Sequence, residues 1–104
     1  YFQHVVLFGF EQEGILIGFM GIAEGNLEML FIDNNYRGTG IGKKLITYAI
    51  DNLQVTKVDV NEQNGQAVGF YKHMGFSVYK RSALDGEGKE YPILHMQLSN
   101  FYSQ

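Results

Sequence analysis

Apolar residues fall in three short runs before residue 33 and then switch to helical spacing. Val5 to Phe10 is a nearly continuous apolar run, which predicts a buried strand. The polar stretch Glu11-Gln12-Glu13-Gly14 predicts a turn, and Ile15 to Ala23 returns as a second strand. A further turn at Gly25-Asn26 leads into Leu27 to Ile32. Three consecutive strands with tight turns between them predict an antiparallel meander. The period then changes. Ile41, Leu45, Ile46, Ala49, Ile50 and Leu53 recur as one face of a helix, with Lys43, Lys44, Thr47 and Asp51 on the outer face. Val58 to Val60 follows as a strand, and a strand–helix–strand crossover implies local parallel pairing.

Asn64 is suited to cap a second helix carrying Val68, Phe70 and Tyr71. Gly75 is placed to end that helix, with His73 near its negative end. Phe76 to Ala83 and Pro92 to Leu98 read as a hairpin around Asp85-Gly86-Glu87-Gly88. No repeat, linker or low-complexity tract interrupts the pattern. The expected fold is α/β in the α+β sense: one domain over residues 1–104, with a mixed central sheet, an N-terminal meander, one βαβ crossover and a C-terminal hairpin.

Composition narrows the function classes. The 104 residues suffice for one domain with a modest core, and 45% hydrophobic content with a single Pro argues against disorder. A net charge of −3 gives no general attraction to nucleic acid or to an anionic membrane, so basic residues act only locally. The absence of Cys excludes disulfides, thiolate nucleophiles and Cys-based metal sites, and fits a cytoplasmic protein. No apolar run approaches the roughly 18 residues of a membrane helix, and no signal peptide is visible. His4, His73 and His95 lack short metal-ligand spacing, and there is no G-x-S-x-G for a serine hydrolase.

The most informative stretch is Phe31-Ile32-Asp33-Asn34-Asn35-Tyr36-Arg37-Gly38-Thr39-Gly40-Ile41-Gly42-Lys43. An apolar strand enters a glycine loop that opens onto a helix. Amides at a helix start lack internal partners, and the helix dipole favours an anion there. Glycines let the backbone approach a phosphate, and Arg37 and Lys43 add positive charge on either side. A diphosphate-bearing, nucleotide-like cofactor is the expected ligand. The glycines read G-x-G-x-G, not the dinucleotide G-x-G-x-x-G, and the spacing before Lys43 is one residue short of a Walker A loop.

Arg37-Gly38-Thr39-Gly40-Ile41-Gly42 instead resembles the R/Q-x-x-G-x-G/A signature of the GNAT superfamily of acyl-CoA-dependent N-acetyltransferases. The segment from Asn61 to Phe76 resembles the family's second cofactor-facing motif, with the skeleton N…A…FY…GF. Asp59-Val60-Asn61-Glu62-Gln63-Asn64 is similar to the N-V-N-E-Q-N segment of small bacterial members. The resemblance runs from about Val5 to Leu98. It implies a sheet whose parallel strands splay apart to hold the pantetheine arm of acetyl-CoA. In relatives the turn before the loop often contains Pro; Asp33-Asn34-Asn35 stands there here, and both residue types tolerate turn geometry.

The same resemblance implies the chemistry. Acetyl transfer from acetyl-CoA to a primary amine, on a small molecule or a protein, proceeds by direct attack in a ternary complex. Cofactor contacts fall to Arg37, Gly38, Thr39, Gly40, Ile41, Gly42 and Lys43 for the diphosphate. Backbone of Leu30, Phe31 and Ile32 is placed for the thioester carbonyl, and Asn64 for the pantetheine arm. Tyr71 is the expected general acid, against the alternative that it only packs on the sheet. Asn64 has the alternative of a helix cap, and both roles are compatible. Glu28, on the strand entering the loop, and Glu62 are candidate bases, each with the alternative of a solvated carboxylate. Strand alternation puts Glu28 on the face of Leu30 and Ile32.

Two other readings stand beside this one: a non-catalytic acyl-CoA-binding module, and a conventional nucleotide binder with Asp59 as a ribose-binding acid. The meander and the glycine spacing count against the second. Relatives usually carry a strand and one or two helices ahead of this point, so an N-terminally truncated domain is expected, or one completed by another subunit. Tyr1-Phe2-Gln3 matches the tail of a protease-cleavage tag or else begins a native strand. A homodimer through the exposed first strand is a further expectation.

Overall fold

The computed structural model describes residues 4–99; Tyr1-Phe2-Gln3, the suspected tag remnant, lies outside them. Six strands and two helices follow in the order β1 (Val6–Gln12), β2 (Ile15–Ala23), β3 (Asn26–Ile32), α1 (Ile41–Asn52), β4 (Lys57–Asn61), α2 (Gly65–His73), β5 (Phe76–Ser82) and β6 (Ile93–Leu98). A short 3-10 turn, Asn34–Tyr36, precedes α1. The chain forms two compact units, one ending at Thr56 and the next beginning at Lys57.

The first unit is the expected meander with α1. β1 pairs antiparallel with β2, and β2 with β3. Both hairpins close on two residues with positive φ, Glu13 (53°) with Gly14 (81°) and Glu24 (50°) with Gly25 (79°). Positive φ at both central positions is the mark of the type I′ turn, whose twist matches that of the strands it joins. The second turn is therefore Glu24-Gly25 and not Gly25-Asn26, because Asn26 already pairs with Ala23. Likewise Glu11 and Gln12 belong to β1, paired with Leu16 and Ile15.

One face of the meander receives α1. Ile41, Leu45, Ile46 and Ala49 are its buried positions, at the predicted spacing. Gly18 makes the close approach possible: a Cβ there would lie 3.2 Å from Leu45 Cδ1 and 3.0 Å from the Phe31 carbonyl oxygen. Leu45 thus fills the volume that a side chain at position 18 would need. The helix ends through Gln54 at φ 59°, with Val55 N–H donating to Ala49 O. Thr56 N–H then donates to Gly25 O, which ties the helix exit to the second turn. On the opposite face Leu7, Leu16 and Phe31 are more than half exposed. They lie around Gly9 and Gly21, and Phe31 stacks on Phe19 at 5.1 Å.

In the second unit β4 and β5 both pair antiparallel with β6. Alternation divides the three strands into two faces. Val58, Val60 and Met96 are buried, and Phe76 joins them as an edge-on partner for Tyr71 of α2. Lys57, Asp59, Asn61, His95 and Gln97 take the other positions of β4 and β6. Gly75 sits at φ 103° just after α2, as its place in the sequence predicted. The β5–β6 connection is organised by Asp85, whose Oδ1 accepts from the amides of Glu87 and Lys89 at 2.9 Å.

Candidate functional site

The glycine loop is built from β3 outward. Asp33 N–H donates to Ile17 O, and Asp33 Oδ1 accepts from Asn35 N–H at 2.8 Å, so the Asp33-Asn34-Asn35 turn expected before the loop forms, as an Asx-type turn. Thr39 is fixed by its own N–H and hydroxyl, both donating to Tyr36 O. Gly38 and Gly40 then adopt φ of 80° and 88°. A Cβ at either would meet nothing within 4 Å, so the loop backbone lies open rather than packed against other atoms.

Gly40 is the N-cap of α1 and offers no side chain to cap it. The first rung of the helix is Lys44 N–H to Gly40 O at 3.1 Å, which puts the amides of Ile41, Gly42 and Lys43 ahead of the ladder. Ile41 is buried and anchors the start of the helix, whereas Lys43 is exposed. Open backbone, orphan amides, a dipole end and two flanking cations suit a diphosphate. An open groove of about 580 Å³ continues from Gly40 along the outer face of α1, lined by Lys43, Lys44, Thr47, Tyr48, Asp51 and Asn52. Lys44, expected to be solvated, lines this groove with Lys43.

In the second unit Asn64 is the N-cap of α2, its Oδ1 accepting from Ala67 N–H at 3.1 Å. The cap role uses only the oxygen of the amide. Tyr71 is 7% exposed, between Phe70 and Phe76. Burial pushes its hydroxyl up from the usual 10 to about 12. Between those two values the unfolded chain releases the proton while the folded chain keeps it. Stability is therefore full below pH 10 and falls as pH rises toward 12, by on the order of 3 kcal/mol. Tyr71→Phe should abolish that part of the alkaline loss. Urea midpoints for both proteins, taken near neutrality and again at about pH 11, measure it; an equal alkaline drop in the two would contradict the assignment.

The candidate bases separate clearly. Glu28 accepts from Asn26 Nδ2 at 2.6 Å, within β3 and beside the β2–β3 turn. Glu62 is held by both Nε and Nη2 of Arg81, at 2.8 and 2.9 Å. The Arg81 hydrogen bonds hold the Glu62 carboxyl below its ordinary value, making it a poorer proton acceptor. Leu30, Phe31 and Ile32 lie on β3 opposite Met20, Phe19 and Gly18.

A third arrangement has no trace in the sequence. His95 Nδ1 lies 2.8 Å from Asp59 Oδ1, and its Nε2 lies 2.8 Å from Ser82 Oγ. An ionised carboxylate can only accept, so Nδ1 carries a proton, and in the neutral imidazole Nε2 then accepts from the serine hydroxyl. The three residues are 36 and 13 positions apart along the chain. Only the pairing of β4 and β5 on either side of β6 brings them together.

A family model for the acetyltransferase (GNAT) domain matches residues 2–99. The chain belongs to the GNAT acetyltransferase family. Peptidyl-lysine N-acetyltransferase YjaB of Salmonella typhimurium is 49% identical to this GNAT chain over 80 residues, which is 77% of the chain and 55% of the relative. The solution structure of apo-form YjaB from Escherichia coli superposes with a TM-score of 0.79 at 39% identity, over 88% of this chain and 62% of that one. A Bacillus anthracis acetyltransferase solved in complex with acetyl coenzyme A shares the fold, with a TM-score of 0.76 at 19% identity over 90% of this chain and 61% of that one. The GNAT chain spans about half the length of the curated relatives it matches. The mixed α+β fold expected from the sequence is that of these structures.

Proposed function

We propose that this chain carries the acetyl-CoA-handling part of an N-acetyltransferase that acts on a primary amine, with the lysine side chain of a protein as the first acceptor to test. The observation that carries the reading is the open loop at the start of α1, where Gly38 and Gly40 take left-handed φ with free space in front of them. Two relatives at 45–49% identity are peptidyl-lysine N-acetyltransferases, which supports the choice of acceptor. The absence of Cys supports a cytoplasmic setting.

Acetyl-CoA, when bound, supplies an activated acetyl thioester. Arg37, the amides of Gly38 to Gly42 and the Lys43 ammonium hold the diphosphate by charge and by direct N–H donation. Backbone N–H in the Leu30–Ile32 stretch donates to the thioester carbonyl as negative charge builds there. Asn64, with its oxygen committed to the cap, presents its amide nitrogen to the pantetheine arm. Tyr71 keeps its proton throughout the neutral range and gives a hydrogen bond, then the proton, to sulfur. A pKa near 12 makes the phenol a weak acid toward an ordinary thiolate. Glu28 is the acidic candidate for the base.

The test is turnover. The chain is incubated with acetyl-CoA and a lysine-containing peptide, and the peptide is analysed by mass spectrometry. Wild type should yield the acetylated peptide, with kcat reduced roughly 10²-fold or more in Tyr71→Phe and acetyl-CoA affinity retained. Acetyl-CoA binding with no acetylation of any amine offered would instead support a non-catalytic acyl-CoA-binding module.

A further inference from the structure

Two observations in the second unit meet at His95. The first is a line of hydrogen bonds: Asp59 Oδ1 lies 2.8 Å from His95 Nδ1, and His95 Nε2 lies 2.8 Å from Ser82 Oγ. Carboxylate, imidazole and hydroxyl stand in the order that activates serine in acyl-transfer triads, which are recognised by geometry and not by sequence position. The second is a register shift in β5. Phe76 and Val78 pair with Leu98 and Met96, but Lys80 pairs with His95, so Tyr79 is an inserted residue. Strict alternation would keep positions 80 and 82 on the side of Met96; the bulge turns Lys80 and Ser82 to the side of His95. Bulges occur preferentially beside active sites because they re-aim side chains in this way. Asp59 pairs with His95 directly from β4. The imidazole thus takes one partner from each neighbouring strand, and the serine partner depends on the bulge.

We propose that Ser82, His95 and Asp59 form a hydrolytic site for short-chain aryl esters, with Ser82 Oγ as the nucleophile, His95 as its base and Asp59 as the residue that positions the imidazole. The activity goes beyond acetyl transfer: it uses residues of the second unit alone and needs no acetyl-CoA. Ser82 Oγ bonds to the acyl carbon as its proton passes to His95 Nε2, and the Asp59 carboxylate balances the imidazolium. The C–O bond to the leaving group then breaks, and Nε2 gives the proton to the departing phenolate oxygen. Water attacks the acyl-serine next, losing a proton to Nε2. The C–Oγ bond breaks and Nε2 returns that proton to Oγ. Ester and water have become carboxylic acid and phenol, and the three side chains end as they began.

The surroundings set the substrate class. The His95 and Asp59 side chains are 20% and 34% exposed and Ser82 is half-buried, so the site is shallow and suits a short acyl chain. The exposed Tyr79 ring stands 6.3 Å from the imidazole and offers a flat apolar surface to an aromatic leaving group. A phenol, with a pKa of about 10, also leaves more readily than an alkyl alcohol. Lys80 shares the face of Ser82 and brings an ammonium to the oxyanion. Lys57 instead lies over the Tyr79 ring at 5.6 Å, and Arg81 is paired with Glu62.

The experiment uses the full chain, with para-nitrophenyl acetate as substrate and an alkyl fluorophosphonate, which bonds irreversibly to an activated serine, as probe. Wild type should carry the phosphonyl group on Ser82, located by peptide mass spectrometry, and should turn over the ester without acetyl-CoA. Ser82→Ala should lose that label and lower kcat by about 10²-fold or more. His95→Gln should slow labelling and turnover alike, and Lys80→Ala should lower kcat with KM little changed. Asp59→Asn should slow labelling in step with the loss of the Nδ1-protonated tautomer of His95, read by nitrogen NMR. A folded wild type whose Ser82 takes no phosphonate overturns the proposal. So does ester hydrolysis at an equal rate in Ser82→Ala, which would trace it to unselective lysine and histidine side chains. Neither result touches the acetyltransferase reading, which is tested with acetyl-CoA and the lysine-containing peptide.

Discussion

Gly40→Val should weaken acetyl-CoA binding at least tenfold, the largest effect expected of any single loop substitution. The residue sits at φ 88° and caps α1. Leaving Gly puts an L side chain in the left-handed region at roughly 1–2 kcal/mol, and β-branching adds to this. The chain avoids that strain by rotating residue 40 toward negative φ, which swings the amides of Ile41 and Gly42 away from a common target. A loss of about 1.4 kcal/mol in binding is already tenfold in Kd. The open space in front of residue 40 matters as well, because a valine side chain would occupy the volume proposed for the diphosphate. Calorimetric titration of wild type and variant measures the change. Equal affinities would show that the loop is not the anion cradle.

The second large effect concerns stability. Leu45→Ala should lower the unfolding free energy by about 2–5 kcal/mol, a large share of the roughly 5–15 kcal/mol typical of a small domain. Leu45 is 4% exposed and lies over Gly18, where β2 has no side chain of its own. Truncation leaves a void on both sides of the contact that neither glycine nor backbone can fill. Because α1 carries the proposed acetyl-CoA loop at its first turn, the variant should also bind acetyl-CoA less tightly under conditions where most of it remains folded. Urea denaturation gives the stability change; a loss below about 1 kcal/mol would mean that the helix does not depend on this contact.

Much of this was legible before any coordinates. Ile41, Leu45, Ile46 and Ala49 announced α1 because a helix buries every third or fourth residue, and those four are its buried set. Gly75 and Asn64 were readable because each terminates or starts a helix by its own local chemistry. The hairpin turns centre a residue or more away from where the sequence pattern predicts them. Glu13 and Glu24 hold positive φ, which a glutamate rarely does, and cross-strand pairing imposes it there. Gln54 at the end of α1 is the same case, a left-handed residue with no glycine to advertise it.

The site divides along the same line. The Arg37–Lys43 loop was readable because its left-handed glycines and the open start of α1 lie in one contiguous stretch of backbone. The burial of Tyr71, and with it the rise of its pKa, depends on Phe70 and on Phe76 in the next strand, so a motif alone could not report it. The engagement of Glu62 by Arg81, 19 positions away, lowers the basicity of that carboxylate through a partner no local pattern reveals. Asp59, His95 and Ser82 are the extreme case. Each is unremarkable alone, and the signal that could have found them is the register of β4 and β5 on β6. Alternation within each strand could have put Asp59 and His95 on exposed faces, but not beside each other.

The measurement that tests the central claim most directly is parallel calorimetric titration of the chain with acetyl-CoA, ATP and NAD. A loop that holds the diphosphate of acetyl-CoA at the start of α1 predicts saturable binding of acetyl-CoA at one site, weaker in Gly40→Val, and no comparable binding of the other two. Silence toward acetyl-CoA from a folded chain, or tighter binding of ATP or NAD, would contradict it.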